Sequence, residues 1–125
     1  MRTTSPLLSL SGTTPIIWNL SMAWAILFLA GLCEVAWAVG LKYSEGFSKL
    51  APSAFTVGFM VLSFWLLGIA LRTLPLGIAY GVWVGIGAIG TAIASIYLFN
   101  EPATLIKLIS LLFIVVGIAG LKFAA

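Results

Sequence analysis

Histidine is absent from this 125-residue chain, cysteine occurs once, and only 7% of the residues are charged. Each scarcity removes a class of function. With Cys33 alone and no histidine, a Cys/His metal site is not expected and no disulfide can form within the chain. No nucleophile–base set is present either, so an enzyme is not expected, and neither is a cofactor or metal. All nine charges can be named: Arg2, Glu34, Lys42, Glu45, Lys49, Arg72, Glu101, Lys107 and Lys122. They form no basic cluster, so the pI near 9.4 does not point to nucleic acid.

What is abundant is apolar. Hydrophobic residues make up 62% of the chain and the mean hydropathy is +1.23. Soluble domains carry about 25% charged residues. The chain therefore reads as an all-α integral membrane protein in one compact unit. Four apolar spans, about 22–41, 52–71, 75–99 and 104–121, each approach the roughly 20 residues needed to cross a bilayer. Short connections between them predict an up-down bundle. Pro75 fits the first turn of the third helix. Lys107, in the first turn of the fourth, can snorkel to the interface. Residues 1–21, rich in Ser, Thr and Pro, read as a poorly ordered leader lacking an apolar core of signal-peptide length. Residues 22–125 are the expected transporter domain. Met22 is the expected functional start.

Glu34 is the one acidic residue inside the first apolar run. A carboxylate at such depth costs roughly 2.5–3.5 kcal/mol to insert and usually faces a bundle interior or a wet cavity. Desolvation disfavours its charged form, so it can hold a proton and yield it to a cation. That is the chemistry of proton-coupled cation transport. The plainer alternative is a buried carboxylate satisfied by a neighbouring helix.

Residues three or four apart share a helix face. Gly31, Glu34, Trp37 and Leu41 line one side of the first span; Tyr80, Trp83, Gly87 and Gly90 line one side of the third. If these faces converge with Ser63 of the second span, Glu34 gains donors from the Ser63 hydroxyl, the Trp37 indole and the Tyr80 hydroxyl. Aromatic walls around a carboxylate suit a cation. Ordinary packing is the alternative for Trp37 and Tyr80. It is the favoured reading for Trp18, Trp24 and Trp65.

Gly85-Ile-Gly-Ala-Ile-Gly90 matches G-x-G-x-x-G, but no strand precedes it, so the dinucleotide reading fails. Gly81 and Gly85 instead form a small-residue stripe that lets helices approach. Gly85, Gly87 and Gly90 are candidate hinges. One copy carries a single membrane carboxylate, and alternating access needs two walls that rock against each other. A homodimer supplies both. Lys and Arg are nearly balanced across the membrane: Arg72 and Lys122, plus Arg2, against Lys42, Lys49 and Lys107. Insertion in both orientations and antiparallel pairing are therefore expected.

These residues resemble the small multidrug resistance transporters over about residues 22–122. The resemblance rests on Ala30-Gly-Leu-Cys-Glu-Val35, Lys42-Tyr-Ser-Glu-Gly-Phe-Ser-Lys-Leu-Ala-Pro-Ser53, Ser63-Phe-Trp-Leu-Leu67 and Leu74-Pro-Leu-Gly-Ile-Ala-Tyr-Gly-Val-Trp-Val-Gly-Ile-Gly87. It implies an antiparallel homodimer in a bacterial inner membrane that exchanges cations for protons at the first-helix glutamates. In the family's drug-exporting subtype, glycine typically matches Trp37 and tyrosine matches Met60. Trp37, Met60 and the terminal Gly120-Leu-Lys122 look instead like the guanidinium exporters. That resemblance makes guanidinium and protons the substrates of Glu34. It makes Trp37 and Ser63 the residues that orient the carboxylates, Tyr80 a support and Trp83 a wall. Residues 1–21 lie outside the pattern. A quaternary-ammonium exporter of the same family is the first alternative reading. A structural or accessory subunit of a larger membrane complex is another, of a different class.

Overall fold

The computed structural model describes residues 20–125, so the leader expected over residues 1–21 lies almost wholly outside the described residues. Four helices follow in order: α1 (Leu20–Ser44), α2 (Leu50–Ala70), α3 (Leu76–Leu98) and α4 (Leu105–Ala124). All four are long and apolar enough to cross a membrane. They match the expected spans, with α1 and α4 each running about a turn past Leu41 and Leu121. Those extra turns carry Lys42 and Lys122. Long basic side chains there can reach the interface while the backbone stays helical.

The ends of the elements follow local chemistry. The Ser44 hydroxyl donates to the Leu41 carbonyl at 2.7 Å and accepts from the Phe47 amide at 3.0 Å, closing α1. Glu45, Gly46 and Phe47 then take positive φ, which turns the chain within a few residues. Pro75 is the N-cap of α3 rather than part of its first turn, with extended backbone. Thr104 caps α4 by accepting from the Lys107 amide at 3.2 Å. Lys107 does more than reach for the interface: its ammonium lies 3.5 Å from Glu101.

The register is read from pairs of close residues. Gly40 meets Phe55 and Thr56, and Ala30 meets Ser63, so α1 and α2 are antiparallel. Gly31 meets Ile86 and Val35 meets Gly90, so α1 and α3 are parallel. Gly81 meets Leu121 and Gly85 meets Ile118, so α3 and α4 are antiparallel. This is the expected up-down order. The core sits where α1, α2 and α3 meet, on Ala23, Leu27 and Ala30 of α1, Leu66 and Leu67 of α2, and Val82 and Trp83 of α3. Cys33 is buried in the same cluster, as expected of a packing residue.

The backbone of α4 approaches α3 alone among the described helices, and α4 buries none of its residues. Lipid is as apolar as leucine, so a membrane helix associates by close packing and not by hiding apolar surface. The Gly81/Gly85 stripe supplies that packing. A Cβ at either position would come within 2.9 Å of Leu121 or Ile118 on α4.

Candidate functional site

The site is built around the middle of α1. Ser63, fully buried on α2, donates to the Ala30 carbonyl at 2.8 Å. Trp83, buried on α3, donates its indole N–H to the Ser63 hydroxyl at 2.9 Å. This two-bond chain ties three helices together. In a helix the carbonyl of residue 30 also accepts from the amide of residue 34. The network therefore ends on the turn that carries Glu34.

The Glu34 side chain lies in the notch left by Gly87 of α3, where a Cβ would collide with its carboxylate. Its Oε1 is buried with no hydrogen-bond partner, and so is the Trp37 indole nitrogen one turn along α1. Among the described residues no lysine or arginine pairs with Glu34; their ion pairs are Lys49–Glu45 and Lys107–Glu101. The described residues also include no cluster of His, Cys, Asp and Glu able to hold a metal. The arrangement is a buried carboxylate oxygen with neither cation nor donor, one helical turn from a buried N–H donor that lacks an acceptor.

The expected convergence is present in part. Glu34, Ser63, Trp83 and Gly87 come together. The donors expected for Glu34 do not reach it within one chain. Ser63 is committed to Ala30, Trp37 is unpartnered, and Tyr80 is 52% exposed with its ring on Trp83 at 5.4 Å. Gly31 is buried and serves as a spacer, since a Cβ there would meet Ile86 of α3 at 2.6 Å. Met60 is half-buried, one turn before Ser63 on α2. The three candidate hinge glycines divide by face: Gly87 and Gly90 receive Glu34 and Val35 of α1, whereas Gly85 receives Ile118 of α4.

Two participants are new relative to the sequence reading. The Ala30 carbonyl is a backbone group, and no side-chain pattern marks it. Phe64 links the aromatics: its ring meets Trp37 edge-on at 6.5 Å and Trp83 at 5.7 Å. The result is a wall of Trp37, Phe64, Trp83 and Tyr80. Its outer members Phe64 and Tyr80 are half exposed.

Known proteins resemble this chain closely. The family described as Small Multidrug Resistance protein matches residues 22–114. The guanidinium exporter of Proteus vulgaris is 53% identical over 104 residues, spanning 83% of this chain and 100% of the relative. That of Salmonella typhimurium is 56% identical over 104 residues, 83% of this chain and 99% of the relative. That of Escherichia coli K12 is 55% identical over 103 residues, 82% and 98%. With four membrane-spanning helices and relatives matched over nearly their whole length, this chain belongs to the small multidrug resistance family of multi-pass membrane transporters.

Proposed function

We propose that this protein exports guanidinium in exchange for protons, as an antiparallel homodimer in a bacterial inner membrane, with the two Glu34 carboxylates as the shared binding site. The observation that carries the reading is the buried, unpartnered Glu34 Oε1, held against Gly87 beside an unpartnered Trp37 N–H. A buried polar group left without a partner costs about 1–3 kcal/mol, more if charged. A transported cation, a proton or a second subunit removes that cost. The relatives named guanidinium exporters support the choice of substrate.

The chemistry favours a small planar ion. Guanidinium offers a rigid fork of N–H donors that matches a carboxylate bidentately. The Trp37 ring beside Glu34 takes up volume that a bulky drug would need. Its buried N–H is an unused donor one turn from Glu34, and the exposed Tyr80 is free to serve a carboxylate of the second subunit. Ser63 and Trp83 act through α1, by fixing the turn at Ala30. Exchange follows because one carboxylate cannot be protonated and bind the cation tightly at once. With both carboxylates protonated, up to two protons return per cation exported. Rocking the two subunits then exposes the site to either side in turn.

Proteoliposomes carrying a proton gradient test the reading. Purified protein should accumulate guanidinium and should move a large aromatic quaternary ammonium poorly. Efficient transport of the large cation with little guanidinium would place the protein with the drug exporters. No transport by the purified chain would make it a subunit that depends on others.

A further inference from the structure

A crevice of about 240 Å³ opens between α1, α3 and α4, with no residue of α2 in its lining. Trp24, Phe28, Val82, Ile86 and Ile118 line it, and Lys122 stands at its mouth. Trp24 and Lys122 are near the start of α1 and the end of α4, at one membrane face. Phe28 lies about 6 Å deeper than Trp24 at 1.5 Å of rise per residue. The lining is thus apolar toward the membrane interior and cationic at the surface. The Lys122 ammonium rests over the Trp24 ring, 5.6 Å from its centroid, a contact that holds it at the mouth.

We propose that this crevice binds an anionic phospholipid, with one acyl chain against Trp24, Phe28 and Ile86 and the phosphate on Lys122. The chain has three acidic side chains in all. Glu34 lies in the middle of α1, while Glu45 and Glu101 pair with Lys49 and Lys107 at the opposite face. No ion pair of the described residues engages Lys122, so its ammonium is available to a bound anion. A helix with its side chains is about 10–12 Å across and does not enter so small a space, whereas a hydrocarbon chain does. Basic residues at a membrane surface attract anionic headgroups.

Native mass spectrometry of the purified full chain, titrated with phosphatidylglycerol or with phosphatidylcholine of the same acyl chains, tests the site. The wild type should retain phosphatidylglycerol in preference. Lys122 is exposed, so Lys122→Gln leaves the packing intact. It should lower phosphatidylglycerol retention about fivefold, the weight of one basic residue near an anionic surface, and leave phosphatidylcholine unchanged. Arg72→Gln removes the same charge at the same face outside the crevice and should change neither. Ala119 also lines the crevice; Ala119→Phe, which fills it, should reduce retention of both lipids. Equal losses from Lys122→Gln and Arg72→Gln would overturn the proposal in favour of diffuse surface charge. Full lipid retention by Lys122→Gln, or an altered oligomer mass with unaltered lipid in Ala119→Phe, would overturn it as well.

Discussion

The Glu34 carboxylate occupies the space that a side chain at Gly87 would need. The absence of one methyl group on α3 is what allows an acid on α1 to lie between the helices. Gly87→Ala should therefore displace the carboxylate and lower guanidinium transport about tenfold or more, given the 1–3 kcal/mol typical of overpacking. Gly77→Ala is the control, because a Cβ there meets nothing within 4 Å. It should transport normally and gain slightly in helix stability. Equal transport by both variants, measured as uptake into proteoliposomes, would contradict the fit of Glu34 to Gly87.

Ser63→Ala removes more than one hydrogen bond. It frees the Ala30 carbonyl and strips the Trp83 indole of its acceptor inside the core. A buried donor left unpaired costs about 1–3 kcal/mol, against about 0.5–1.5 kcal/mol for an ordinary bond. Thermal unfolding in detergent should show the loss. Adding Trp83→Phe to Ser63→Ala should cost less than the sum of the two single changes, because both break the same contact. Strict additivity would mean that the two side chains act independently.

Trp37→Phe separates packing from hydrogen bonding. The ring contact with Phe64 survives, but the unpartnered N–H is gone. Guanidinium affinity should fall by up to about tenfold, the worth of one hydrogen bond, with no loss of folded protein. Trp37→Gly removes the ring too and should admit bulkier cations. Unchanged affinity and selectivity in both variants would make Trp37 a packing residue only.

Mixed insertion is expected of a chain with so little charge bias. Lys42, Lys49 and Lys107 face one side, and Arg72 and Lys122 the other. Reporters at the C-terminus of a chain starting at Met22 should signal from both sides of the membrane. A signal from one side alone would rule out the antiparallel pair.

Much of this is legible in the amino-acid sequence. The apolar runs marked all four helices, because crossing a bilayer demands length and composition that little else produces. Glu34 stood out as the lone acid of its run, and Ser63 as one of few polar residues in α2. The target of Ser63 could not be read. It bonds to a backbone carbonyl, and every residue carries one. The two-faced use of the glycines was equally hidden. Gly85 and Gly87 are two apart in sequence, about 200° apart around a helix, and serve α4 and α1 respectively. That the backbone of α4 approaches α3 alone left no trace either. A helix in lipid needs no polar face, so its pattern does not tell which neighbours it touches.

Glu34→Gln tests the central claim most directly. The amide keeps the shape and the fit against Gly87 but can neither release a proton nor pair with a cation. The measurement is accumulation of guanidinium in proteoliposomes under a fixed proton gradient, beside the wild type and beside Glu45→Gln, whose carboxylate lies in an exposed surface pair with Lys49. The account predicts accumulation by the wild type and by Glu45→Gln, and none above the unenergised level by Glu34→Gln. Wild-type accumulation by Glu34→Gln would contradict it.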